Sequence, residues 1–169
     1  MLYPSIVIRN EYFPRIEITR KILKDGSKYF GPYSNVLSVK TLLELIHKLY
    51  PIRTCSLNLT PEKIAEGKYK VCLEYHIKRC KGPCVGLQDS EEYIKNVNAI
   101  QEILKGNTNL VSESIYSEMQ ALAEKQEFEE ANKLKEKFIL IENFKNKSTV
   151  VSSIKYNIDV FSYDEDADA

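Results

Sequence analysis

No apolar run in this chain approaches the roughly 18–20 residues that a membrane-spanning helix requires. No stretch of this chain is therefore expected to cross a membrane as a helix. The opening stretch, MLYPSIVIRNEYF, lacks the basic-then-apolar order and small-residue cleavage site of a secretory signal. Together the two absences predict a cytosolic chain. Thiols stay reduced there, so four cysteines are not expected to form structural disulfides. Paired C-x2-C knuckles, the strongest sequence sign of zinc, are also missing. From 112 to 145 there is neither Gly nor Pro, which removes the usual helix breakers from that stretch. Net charge is absent too, with 24 Lys and Arg against 24 Asp and Glu.

That zero hides a polarity. Residues 1–84 hold 15 Lys and Arg against 7 Asp and Glu, a balance of +8; residues 85–169 hold 9 against 17, or −8. The two halves should prefer different partners, and the first suits a polyanion. With 169 residues, 43% of them hydrophobic, the chain is long enough for one medium domain or two small ones.

Local patterns predict an α+β fold, mainly helical. YPSIVI (3–8) and FPRIEITRKI (13–22) read as strands, followed by a turn at Lys24-Asp25-Gly26-Ser27 and a Gly-Pro loop, YFGPYSN (29–35). Val36, Val39, Leu42, Leu43, Ile46 and Leu49 recur at helical spacing, with Ser34 or Asn35 as cap and Pro51 as stop. The stretch 51–88 reads as irregular, apart from a short helix starting at Thr60-Pro61 and ending before Gly67. Asp89 and Glu92 suggest a capping box for a helix over 90–105. After a polar joint at 107–109, two antiparallel helices are expected in 112–147. Ile115, Met119, Leu122 and Ala123 form one apolar face, and Phe128, Ala131, Leu134, Phe138 and Ile141 the other. Residues 148–163 alternate as strands do, ahead of an acidic tail.

The chemistry concentrates in C-x16-C-x7-C-x3-C: Cys55, Cys72, Cys80 and Cys84. Four thiolates can close the coordination of one zinc ion or hold an iron–sulfur cluster. Gly82 and Pro83 reverse the chain between the last two sulfurs. The Lys and Arg side chains beside them favour the thiolate that a metal needs. Spacing alone leaves the metal open. The plainer alternative, four cysteines used as small apolar residues, fits a loop-rich segment less well. Around them Lys68, Lys70, His76, Lys78, Arg79 and Lys81 interleave with Tyr69 and Tyr75, a mix suited to phosphate neutralisation and base stacking. His76 is expected to serve that surface more than the metal.

Four motifs, YFGPYSN, PIRTC, VCLEYHIKRCKGPC and a helical pair carrying EFEEANKLKE, occur here in the order that resembles the UvrC family, nuclease subunits of bacterial nucleotide excision repair; FPRIEITR upstream is also similar. The resemblance covers essentially the whole chain. It implies a central fragment. Residues 1–50 follow an absent GIY-YIG nuclease, 51–88 are a cysteine-rich module, and 89–111 a connecting helix. Residues 112–147 are a UVR hairpin, and 148–169 begin an absent RNase H-like nuclease. With both active sites outside it, the fragment should not incise DNA alone.

The same resemblance implies a [4Fe–4S] cluster on Cys55, Cys72, Cys80 and Cys84, with zinc as the alternative. It implies damaged double-stranded DNA and UvrB as partners. The UVR pattern M-x3-A-x4-F-E-x-A-x2-L-R-D is similar to Met119, Ala123, Phe128, Glu129, Ala131, Leu134, Lys135 and Glu136. The last two depart from Arg-Asp. Lys135 keeps the charge but loses the two-pronged guanidinium. Phe128, at the turn, is the expected anchor for a pocket on the partner. A purely structural metal module without DNA affinity is the alternative function, and a redox sensor a third.

Overall fold

The computed structural model describes residues 3–147, with side chains through residue 145. The strands and domain start expected after 147 lie outside the described residues. Three short strands open the chain: β1 (Ser5–Ile8), β2 (Ile16–Thr19) and β3 (Lys28–Phe30). They form an antiparallel sheet in the order β2-β1-β3, with Ile6 opposite both Ile18 and Phe30. β1 is buried throughout, as a central strand should be. β3 falls where a turn and a Gly-Pro loop were expected. Three residues are too few to show a period, and only pairing with β1 makes them a strand.

Helix α1 (Val36–Leu49) starts where Asn35 Oδ1 accepts the Leu37 amide at 2.7 Å. It buries Val39, Leu42, Leu45, Ile46 and Leu49, while Val36 stays 38% exposed. Helix α2 (Pro61–Ala65) has Thr60 as cap and Pro61 in its first turn. The segment read as irregular also contains a one-turn helix, α3 (Leu73–His76), and a 3₁₀ turn at Pro83–Val85. Helix α4 (Ser90–Leu104) is capped by Asp89, which accepts the Glu91 and Glu92 amides. The expected capping box is only half made, because the Glu92 carboxylate pairs with Lys81 instead.

Helix α5 (Thr108–Glu124) begins four residues before the predicted boundary at 112. The polar joint shrinks because Asn107 Nδ2 donates to Glu102 at the end of α4. Residues 125–127 then turn the chain into α6 (Phe128–Lys147). At that turn the Gln126 amide bonds the Ala123 carbonyl and the Glu127 amide the Leu122 carbonyl, each at 3.0 Å. This is a Schellman closure, with Gln126 left-handed at φ 62°. Ser112 donates to Glu142 at 2.6 Å and Tyr116 meets Phe138, so the two helices run antiparallel.

One core joins these pieces. Ile6, Ile8 and Phe13 from the sheet region, Ile46 and Leu49 from α1, and Tyr93 and Ile100 from α4 belong to it. So do Val111, Ile115 and Ile141 at the base of the hairpin. The apolar faces differ from expectation at the hairpin tip. Ala123 is exposed and Phe128 is 66% exposed, so the seam is made by Ile115, Ala131, Leu134, Phe138 and Ile141. Among the described residues no helix is long and apolar enough to cross a membrane.

Candidate functional site

The four cysteines sit on four different local frames. Cys55 lies in irregular chain after α1, and Cys72 occupies the cap position of α3. Cys80 follows the end of α3, and Cys84 is inside the 3₁₀ turn. Two backbone devices aim the last pair. The Glu74 carbonyl accepts both the Arg79 and Cys80 amides, closing α3 through a left-handed Lys78 at φ 60°. Gly82 then adopts φ 73°, and a Cβ there would stand 3.1 Å from the Tyr75 ring. Both its conformation and the ring above it demand glycine.

A residue that no sequence pattern singles out organises this loop. Arg53, only 1% exposed, donates Nε to the Phe13 carbonyl at 2.7 Å. Its Nη1 reaches the Leu57 carbonyl at 2.7 Å, the Cys55 carbonyl at 3.2 Å and Cys55 Sγ at 3.7 Å. Its Nη2 pairs with Glu11, which Arg15 also holds. Burial pushes the Glu11 carboxyl up, but the Arg15 bond and the charges of Arg15, Arg53 and Arg9 outweigh it and leave the group below its ordinary value. Tyr93 completes the arrangement: its hydroxyl accepts the Arg53 amide at 3.3 Å and donates to the Pro14 carbonyl at 2.9 Å. The signal was present in PIRTC, an Arg two residues from a cysteine, yet nothing local marks it as buried.

Cys80 and Cys84 are buried, Cys55 is half-buried and Cys72 exposed; none is in a disulfide. Burial pushes the Cys80 thiol up, against the Gly82 amide, and the charges of Cys55, Cys84 and Cys72 push it further. Burial likewise raises Cys84, with added contributions from Cys55 and Cys72. Among the described residues no three Cys, His, Asp or Glu side chains stand close enough to hold a metal ion in this conformation. The donor chemistry nonetheless fits a soft cationic centre, which takes sulfur ligands and stabilises them in the deprotonated form that burial otherwise disfavours. Gln88, four residues beyond Cys84, is 3% exposed with both amide atoms unpaired. A buried amide left so is costly, and a bound group or water offers it a partner.

The cationic residues divide. Lys68, Lys70, His76, Lys78 and Arg79 are exposed. Lys81 is exposed but paired with Glu92. The tyrosines serve the loop itself: Tyr69 donates to the Asn58 carbonyl at 2.9 Å, and Tyr75 packs over Gly82 and against His76. Leu73 and Ile77, in the same segment as these cations, are exposed.

At the far end of the hairpin, Phe128, Glu129, Lys135 and Ala123 are exposed, Met119 and Leu134 are half-buried, and Ala131 is buried. Phe128 sits at the first position of α6, outside the hairpin's own core.

Residues 3–103 match the family described as UvrC/Cho excinuclease, middle domain. Proteins named UvrABC system protein C are similar over nearly the whole chain. The one from Bacteroides thetaiotaomicron is 62% identical over 97% of this chain, that from Porphyromonas gingivalis (strain ATCC 33277) 54% over 97%, and that from Flavobacterium johnsoniae 52% over 99%. This chain spans 27–28% of the length of those relatives. No solved structure matches it. On these grounds the chain belongs to the UvrC/Cho excinuclease family, and to its middle domain over residues 3–103.

Proposed function

We propose that this chain is the central, non-incising part of a UvrC-type excinuclease subunit acting in the cytoplasm in nucleotide excision repair. In this reading the hairpin recruits the subunit to UvrB, and the basic cysteine loop lies against damaged double-stranded DNA. The observation that carries it is the kinship to UvrABC system protein C combined with a hairpin whose tip ring, Phe128, is 66% exposed. An exposed ring on a rigid helix pair is a costly surface unless a partner buries it. Phosphodiester cleavage belongs to other parts of such a subunit.

Cys55, Cys72, Cys80 and Cys84 are proposed as ligands of a [4Fe–4S] cluster, with zinc as the alternative. Four reduced cysteines within one loop-rich segment, two of them buried, support a bound group there. Such a group supplies a cationic core that neutralises thiolate charge and ties the loop together. Arg53 orients Cys55, and Gly82 sets the approach of Cys80 to Cys84.

A structural role without DNA affinity gains support from the Lys81–Glu92 pair and the inward tyrosines. A salt titration of DNA binding separates the two: a steep fall with salt supports phosphate contact, and no binding at low salt removes it. Phe128→Ala should weaken UvrB binding at least about tenfold, as a hot-spot ring does, with the circular dichroism spectrum retained. Full affinity in that variant defeats the recruiting role. Iron, sulfide and zinc analysis of anaerobically purified protein decides the metal.

A further inference from the structure

The sequence motifs place the DNA-facing cations in the cysteine loop. A second surface stands apart from it in the chain, between β2 and β3. Residues 20–24, Arg20-Lys21-Ile22-Leu23-Lys24, are all exposed, with Ile22 at 54% and Leu23 at 51%. Arg20, Lys21 and Lys24 have no ion-pair partner among the described residues. The nearby carboxylates are taken: Glu17 by Arg9, and Asp25 by Arg9 at 3.5 Å and by the Ser27 amide at 3.0 Å.

The loop is held at both ends and in the middle. Thr19 Oγ1 bonds the Lys21 amide and carbonyl at 3.1 and 3.0 Å. The Tyr29 hydroxyl accepts the Leu23 amide at 2.9 Å. Asn10 reaches the Asp25 carbonyl at 3.2 Å and the Ser27 hydroxyl at 3.1 Å. These bonds run through backbone and neighbouring side chains, so the five side chains of 20–24 are left facing outward. Adjacent cations without counter-charge repel one another, and two apolar side chains held out between them gain nothing from water. A partner that is polyanionic and also offers apolar surface relieves both.

We propose that loop 20–24 is a second duplex-DNA contact, with Arg20, Lys21 and Lys24 on phosphates and Ile22 and Leu23 against sugars or base edges in a groove. It deepens the proposed function and rests on its premise that this region meets DNA. The test uses the full 169-residue chain and a short fluorescein-labelled duplex, titrated across salt, with folding followed by circular dichroism.

Arg20→Gln/Lys21→Gln/Lys24→Gln should bind at least about tenfold more weakly at low salt. Its plot of log affinity against log salt should be flatter by roughly 2–3, near 0.9 for each phosphate no longer neutralised. Ile22→Ser/Leu23→Ser should weaken binding several-fold with the slope unchanged. Wild-type affinity and slope in the triple variant overturn the proposal, and an unaltered double variant overturns its apolar half. Changes on Lys68, Lys70, Lys78 and Arg79 separate this site from the cysteine loop. If only they weaken binding, loop 20–24 is excluded and the proposed function stands; if the wild type binds no duplex, loop 20–24 falls together with the DNA contact of the proposed function. Loss of binding to phosphatidylserine vesicles with duplex affinity intact would assign the loop to a lipid surface and overturn it.

Discussion

The cysteine segment, 51–88, and the helical hairpin, 108–147, share one core but are held by different physics. The hairpin rests on a repeated apolar seam, Ile115, Ala131, Leu134, Phe138 and Ile141, closed by a two-bond turn at Gln126. Its order is spread over many side chains, each contributing modestly. The cysteine segment has no such period. Its order depends on a few individual hydrogen bonds, above all those of Arg53, local to Cys55 and Leu57 and long-range to Phe13 and Glu11. A loop must satisfy each buried polar group individually, so its stability is concentrated in single residues.

Changes in the two regions should differ accordingly. The largest effect is expected for Arg53→Met, which removes one of the two guanidinium partners of Glu11 and the donor to three carbonyls. Buried carbonyls left without a donor cost about 1–3 kcal/mol each, so a total loss of roughly 3–5 kcal/mol is expected, to be read from urea denaturation. Cys55 should then react faster with a thiol reagent in the native state. Next comes Ile141→Ala in the seam, at 1% exposure, with a loss of about 2–4 kcal/mol from transfer and cavity. If this change costs clearly more than Arg53→Met, the contrast between concentrated and distributed stability fails.

A smaller effect is expected from pH. The folded Glu11 carboxyl lies below its ordinary 4.5. Its contribution is therefore present above pH 4.5 and is lost as pH falls through the folded value. Glu11→Gln should lower stability at neutral pH and flatten the acid limb of the stability curve; an acid limb as steep as the wild type's would show that other carboxylates set it. The smallest effect carries the opposite sign. Gln126→Gly, at φ 62°, should raise the melting temperature by the equivalent of about 0.5–1 kcal/mol, since glycine occupies that region without strain. No gain there would mean that the Gln126 side chain contributes to the turn.

What could be read from the chain was local. Asn35, Thr60-Pro61 and Asp89 announced three helix starts because a cap acts within three residues. The 3.6-residue period placed α1, and the run free of Gly and Pro placed the hairpin. Where reading failed, the deciding partner was distant. β3 exists through Ile6 and Val7, some twenty residues before it in the chain. Glu92 left its capping box for Lys81, a partner on the neighbouring loop. Tyr69 and Tyr75 turned into the loop because Asn58 and the bare face of Gly82 received them.

The order of amino acids by itself determined a mainly helical α+β chain, its capped helix starts, the antiparallel hairpin and the kinship carried by its cysteine motifs. Only the tertiary structure decided that Arg53 is buried, that Cys80 and Cys84 are buried while Cys72 is exposed, and that Phe128 and loop 20–24 face outward. Caps and periods are set by neighbours a few residues away, whereas burial and charge pairing depend on groups the chain brings together only after it has folded.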